Sequence, residues 1–249
     1  ADWVAVRDGE LSDHPDDVAA TNTLRYIYHH VFPESFINGT FDTDFDGIAD
    51  EEHPAWKDKM DWLGLQYYFR AGVTGKLQLL PAINGMICLN GFEELSGGSC
   101  LNIPDQSKWV PSMGYEFYEP GFGTLLNEYA AKYPSLPLVV TESGIATNVG
   151  ERRAENIVRS LEQIADAQAQ GADIRGYYHW SLTDNFEWAE GYEPRFGLYT
   201  VNRDTFERTA TLGATILSNI AEDRALSGDV QLTYGGIGSM TPEPAEGLE

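Results

Sequence analysis

The stretch Leu136-Pro137-Leu138-Val139-Val140-Thr141-Glu142-Ser143-Gly144 sets the expected architecture. A continuous apolar run of strand length, entered through proline and left through glycine, has the character of a parallel strand covered on both faces. In an α/β barrel the chemistry sits at the C-terminal ends of such strands. The run ends on Glu142, a carboxylate well placed to act as nucleophile or proton donor. A cap on the following helix would suit the same residue, and this stretch alone leaves both roles open.

A second stretch bears on that choice. Ile174-Arg175-Gly176-Tyr177-Tyr178-His179-Trp180 reads as another strand, and it delivers an aromatic and acidic cluster running through Asp184, Glu187 and Trp188 to Tyr192, followed by Pro194-Arg195-Phe196-Gly197. With Thr141 to Gly144, with His179 to Tyr192 and with Asp61-Trp62-Leu63-Gly64-Leu65-Gln66-Tyr67-Tyr68, the chain resembles the C-terminal half of a glycoside hydrolase family 1 enzyme, the β-glucosidase family. The three motifs stand in the family's order, and the resemblance runs from about residue 16 to about residue 220.

The resemblance implies a (β/α)8 TIM barrel of which this chain supplies strands five to eight, within a domain over residues 1–222 followed by a tail over 223–249. It implies a retaining β-glycosidase acting on β-glucosides or related β-glycosides. Glu142 takes the place of the nucleophile, and Tyr68 that of the tyrosine that donates a hydrogen bond to it. Such a donor orients the carboxylate and favours its ionised form. Gln66 stands where the family has Asn, one methylene shorter, so that polar contact is altered. Trp180 offers an apolar face to a sugar ring, Glu187 and the indole N–H of Trp188 bind its hydroxyls, and Phe196 lines the same pocket. The phospho-β-glycosidase branch has a smaller residue at the Glu187 position and a downstream lysine; neither is present, which favours an unphosphorylated substrate. The bland alternative is that these aromatics only fill the core.

One part is missing. Retaining glycosidases need two carboxyl groups about 5 to 5.5 Å apart, and Glu142 supplies one. The family's acid/base lies in an Asn-Glu-Pro motif at the end of strand four, and no Asn-Glu-Pro occurs in this chain. Half a barrel also leaves two open sheet edges and an uncovered core. A complement is therefore expected: the N-terminal half of a longer polypeptide, a separate chain, or a second copy that brings Asp184 or Glu187 near the partner's Glu142. The rival class is a catalytically silent carbohydrate-binding or calcium-stabilised interaction module; a truncated product without a stable fold is a third reading.

Bulk properties agree with a globular enzyme. The 249 residues suffice for one large domain, and 42% hydrophobic with 12% aromatic residues is a globular composition. A formal net charge of −23 opposes binding to nucleic acid or an anionic membrane, and no apolar run approaches membrane-spanning length. Solvation of an acidic surface accounts for most of that charge. The chain opens at Ala1 with neither an initiator Met nor a signal sequence, consistent with processing or a fragment.

Between these motifs, Trp3 to Val6 reads as the end of a strand, and Pro15 opens a helix expected to stop at Pro33, with His29 and His30 on its surface. Asp42, Asp44, Asp46 and Asp50, with Gly47 at the turn and the Ile48 carbonyl, reproduce most of a calcium-loop pattern. The loop also resembles the calcium repeats of secreted adhesive proteins. His53 replaces the bidentate Glu of the last position, so Glu51, Glu52 or Asp61 would complete the shell. The alternative is an acidic turn without metal; a bound calcium would be structural, and no cofactor is expected for catalysis. Phe69 to Pro120 is a long Gly-rich segment expected to form one pocket wall, with Trp109 and Tyr115 in it or in the core. Cys88 and Cys100 lie in this segment and are candidates for a loop-closing disulfide. That disulfide and the calcium loop lean toward a secreted or periplasmic setting, with a cytoplasmic one still open. Helices are expected from Gly121, from a capping box at Asn148 and Glu151, and from Thr205 to Ile220.

Overall fold

A computed structural model of the chain describes residues 1–78, 80–88 and 101–244. The chain divides into two compact units, one of Ala1, Gly64–Phe69 and Ile103–Glu249, the other of Asp2–Leu63 and Arg70–Asn102. Cys100 lies outside the described residues, and with it the proposed pairing to Cys88.

The first unit is built on a three-stranded sheet in the order Ile174–His179, Leu138–Ser143, Leu63–Tyr67. The first two strands are parallel, with Leu138 opposite Ile174 and Val140 opposite Tyr177. Alternation decides which face is packed: Leu63, Leu65 and Tyr67 are buried while Gly64 and Gln66 are exposed. Leu138 and Val140 are likewise buried, Val139 and Thr141 only partly. The sheet is thus covered fully on one face and in part on the other, where two covered faces were expected. On the covered face the Tyr67 ring stacks on Phe122 at 4.9 Å, and its hydroxyl donates to the Tyr118 carbonyl at 2.6 Å.

Helices Glu119–Lys132 and Gly150–Ala169 pack against each other, and Leu212–Asp223 packs on the second. The Gly150–Ala169 helix closes at Gly171, whose φ of +102° suits glycine. Its start differs from expectation. Val149 is the N-cap without a side-chain bond, and the Thr147 hydroxyl accepts the Val149 N–H at 3.0 Å. The expected helix from Thr205 begins only at Leu212, because Asn202 Oδ1 accepts the N–H groups of Asp204 and Thr205 and turns the chain into a hairpin of Tyr199–Val201 with Arg208–Ala210. Thr211 caps the helix instead. The tail, weakly patterned in sequence, forms a helix at Gly228–Tyr234 and then bends at residues 236–238 into a segment without regular structure.

In the second unit Asp2–Arg7 pairs in parallel with Arg70–Thr74, flanked by Glu10–Leu11 and Met86–Cys88. The helix from Pro15 passes through a π-helical turn at Tyr26–His30 and continues as Val31–Asn38, beyond the expected stop. Pro33 lies just after that turn, three residues into the last segment. Gly39, at φ +71°, ends it. His29 and His30 are buried, not on the surface as expected: the turn draws them inward, where the Tyr28 and His29 rings meet edge-on at 5.2 Å.

Asp17 fastens this unit. Fully buried, it accepts from Arg7 Nε at 2.7 Å, Ser12 Oγ at 2.6 Å, Thr74 Oγ1 at 3.1 Å and Gly75 N at 2.8 Å. Burial alone would raise its carboxyl; the donors, Arg7 foremost, outweigh burial and hold it at about 2. A folded value below the unfolded one makes this stabilisation complete above the unfolded carboxylate pKa of about 3.9. It is lost as pH falls toward 2. Asp17→Asn should therefore destabilise the protein by about 3 kcal/mol at pH 7 and flatten its acid limb, measured by urea unfolding at pH 7 and pH 3.

Candidate active site

All expected sugar-site residues fall within the first unit. Glu142 is the penultimate residue of the Leu138–Ser143 strand, and Tyr68 follows the Leu63–Tyr67 strand beside it. The Tyr68 hydroxyl donates to Glu142 Oε2 at 2.7 Å. Burial, and then this hydrogen bond, raise the phenol far above its ordinary range. Tyr68 is thus a fixed donor at every working pH, and it orients one oxygen of the carboxylate.

Two backbone features bring the acidic cluster to the same place. The Trp180 N–H donates to the Ser143 carbonyl at 2.9 Å, and a Cβ on Gly144 would stand 2.0 Å from the Trp180 carbonyl oxygen. Glycine after Ser143 is therefore required by the closeness of the two strand ends. The chain then turns through Ser181, which exchanges backbone hydrogen bonds with Phe196 and Leu198. Asp184, buried, accepts the Gly197 N–H at 2.9 Å and pins that turn.

Glu187 is buried and accepts from the Trp180 indole N–H at 3.1 Å. Trp188 is 83% exposed, in contrast to its neighbour. Phe196 is 2% exposed and meets the Tyr68 ring edge-on at 6.0 Å, so it supports that ring from within the core. Gln66 is exposed on the partly covered face of the sheet. The Tyr115 ring stacks on Phe69 at 5.1 Å. Burial, and then the charge of Glu187, raise the Tyr115 phenol, and Tyr115 and Glu187 both add to the rise at Tyr68. Glu142, Tyr68, Tyr115 and Glu187 thus share one electrostatic neighbourhood. The Trp109 carbonyl accepts from Arg152 Nη2 at 2.7 Å, which ties its backbone to the helix.

No role was legible in the sequence for the buried polar side chains of Asn156, Ser160 and Arg153 on the Gly150–Ala169 helix, or for buried Ser143 at the end of the Glu142 strand. Arg153 Nη2 donates to the carbonyls of Thr147 and Arg195, each at 2.6 Å, and so joins the loops that follow Glu142 and precede Phe196. The available signal was an arginine on the apolar side of an amphipathic helix.

The calcium-like loop belongs to the second unit. Carboxylate oxygens of Asp42, Asp44 and Asp50 lie within 4.8 Å of one another. Asp42 accepts the N–H groups of Phe45 and Gly47, Asp46 accepts that of Ile48, and Asp50 accepts from Thr43. Repulsion from Asp46, foremost, raises the Asp44 carboxyl. His53 pairs with Glu51 at 2.8 Å.

The profile of glycosyl hydrolase family 1 matches residues 12–225. The chain belongs to glycosyl hydrolase family 1. A beta-galactosidase of Pyrococcus woesei is 35% identical over 194 residues, which is 77% of this chain and 37% of that protein. A beta-glucosidase of Agrobacterium sp. is 33% identical over 61% of this chain and 32% of its own length. Among solved structures, a beta-glycosidase from Pyrococcus horikoshii superposes with a TM-score of 0.75 at 28% identity, covering 90% of this chain and 48% of that one. The family 1 fold is a (β/α)8 barrel, and this chain forms part of one, spanning between about a third and a half of these relatives.

His179 generates a pH prediction. Burial, and then the Arg153 charge, lower its pKa to about 3, so the folded chain holds it neutral while the unfolded chain takes up a proton near pH 6.5. Its stabilising effect is complete above that value and is lost as pH falls toward 3. The unfolding free energy should drop between pH 7 and pH 4.5, and His179→Gln should reduce the difference, read from urea titrations at both values.

Proposed function

We propose that this chain is the nucleophile-bearing half, strands five to eight, of a retaining β-glycosidase acting on unphosphorylated β-glucosides or related β-glycosides. The observation that carries the proposal is the 2.7 Å hydrogen bond from Tyr68 to Glu142 at a strand end in a family 1 chain. Glu142 attacks the anomeric carbon, Tyr68 orients it, Glu187 binds sugar hydroxyls, and Trp180 and Trp188 face the ring. Gln66 lies on the partly covered face, toward the same substrate. The names of the relatives, beta-galactosidase and beta-glucosidase, support a neutral hexoside as the sugar.

The second carboxyl group comes from a complement. Three observations support that reading: the chain spans 37% of a similar beta-galactosidase, Gln66 and Gly64 leave one sheet face open, and Ile174–His179 ends the three-stranded order among the described residues. An N-terminal barrel half, in the same polypeptide or a separate one, fits these facts. Self-association through Asp184 is disfavoured because that carboxylate already holds Gly197.

A 2-deoxy-2-fluoro-β-glucoside with an activated leaving group tests the reading, since its trapping step depends little on the acid. With the chain plus a family 1 N-terminal half, mass spectrometry should find the label on Glu142. Glu142→Gln should abolish it, and Tyr68→Phe should slow it by about 100-fold, the usual cost of one oriented donor. Saturable sugar binding without labelling would instead identify a silent binding module.

We also propose that the Asp42–Asp50 loop holds a structural calcium through Asp42, Asp44, Asp46, Asp50 and the Ile48 carbonyl. The convergence of the Asp42, Asp44 and Asp50 carboxylate oxygens within 4.8 Å of one another supports it. Saturating Ca2+ should raise the melting temperature by about 5 °C, and an Asp44→Asn/Asp50→Asn double variant should lose that response.

A further inference from the structure

Three cations of the first unit are buried together: the Lys108, Arg152 and Arg159 side chains are 8%, 0% and 4% exposed. Glu119 Oε1 accepts from Lys108 Nζ at 2.9 Å and from Arg159 Nη1 at 3.1 Å. Arg152 also donates to the carbonyls of Ser107 and Trp109, and buried cations require acceptors for the donors that remain. A single segment of the tail provides several of them. Lys108 Nζ donates to the Ile237 carbonyl at 2.8 Å, Arg159 to those of Gly238 at 2.6 Å and Ser239 at 3.0 Å, and Arg152 Nη1 to that of Thr241 at 2.9 Å.

Donors of Met240 and Thr241 are met in return. The Met240 N–H reaches Ser107 Oγ at 2.8 Å, and the N–H and hydroxyl of Thr241 reach the two oxygens of Glu155, each at 2.8 Å. Only Met240 contributes a buried apolar side chain here, at 3% exposure, whereas Ile237 is 65% exposed. The surroundings thus read the direction and spacing of a main chain, plus one apolar anchor, one hydroxyl and the Glu243 carboxylate, 3.6 Å from Arg152 Nε. This is peptide recognition built from charge-assisted bonds to carbonyls.

We propose that Lys108, Arg152 and Arg159, with Ser107 and Glu155, form a docking groove for an extended peptide, filled by the chain's own residues 237–243. Glu119 belongs to the helix before the Glu142 strand, and Arg152, Glu155 and Arg159 to the helix after it. The docked segment is therefore a strap across both helices that flank that strand. The inference stands independently of the glycosidase reading.

Truncation after Gly235, which keeps the Gly228–Tyr234 helix, empties the groove. The shortened chain should melt about 10 °C lower, and a synthetic peptide of residues 236–244 should restore the melting temperature saturably. A peptide carrying Met240→Gly and Thr241→Val should bind about 10-fold more weakly or worse, while Ile237→Ala should bind within about 3-fold of the parent. Should the truncated chain not fold, hydrogen exchange on the full chain decides: the amides of Met240 and Thr241 should be protected like those of the Gly150–Ala169 helix. Free-peptide exchange rates at those amides, an unchanged melting temperature after truncation, or a folded truncated chain that ignores the peptide would each overturn the proposal.

Discussion

The approach of Gly144 to Trp180 is the constraint on which the site depends. Two parallel strands end so close together that no side chain fits between Gly144 and the Trp180 carbonyl, and the Trp180 N–H closes the gap on the Ser143 carbonyl. Everything chemical follows from that closeness. Glu142 leaves one strand and Trp180, with its hydrogen-bonded Glu187, leaves the next, so a carboxylate held by Tyr68 and a carboxylate held by an indole arise on neighbouring strands. Strand ends give such groups fixed origins, and orientation is worth more than the mere presence of the residues.

The strongest sequence signals concerned local chemistry joined to strand ends. Glu142 stood out because an apolar run stops on a polar residue, whereas Tyr68 and the His179–Tyr192 cluster stood out only through motifs shared with the family. What was not legible depended on contacts distant in sequence. Asn202 redirects the chain into a hairpin by binding two backbone N–H groups, so the apparent period through Phe206 never becomes a helix. His29 and His30 are buried because a π-helical turn changes the face they occupy. A 3.6-residue period cannot anticipate that turn.

The Gly150–Ala169 helix carries the larger lesson about burial. Its sequence alternates charge with apolar residues as a surface helix does, yet Arg152, Arg153 and Arg159 are buried along with Ile157 and Val158. Each arginine is used as a spacer whose guanidinium satisfies several carbonyls at once, a role that its planar fork of donors permits and a lysine ammonium does not. Arg153 does this for the two loops beside the site, and Arg152 and Arg159 do it for the tail. Loop conformation and tail position are thereby referred to one rigid helix.

The division between packed and open surfaces then follows from the same sheet. Leu65, Tyr67, Leu138 and Val140 are buried on the helix-covered side, where Tyr67 meets Phe122. The opposite side bears Gly64 and Gln66, which are exposed. A sheet face of that kind costs little while it carries glycine and an amide, because neither must be withdrawn from water. Stability within this unit is accordingly concentrated between sheet and helices, and the open face can remain polar. In a complete barrel the open face would become interior. A well-packed unit can therefore keep one polar sheet face beside its packed one.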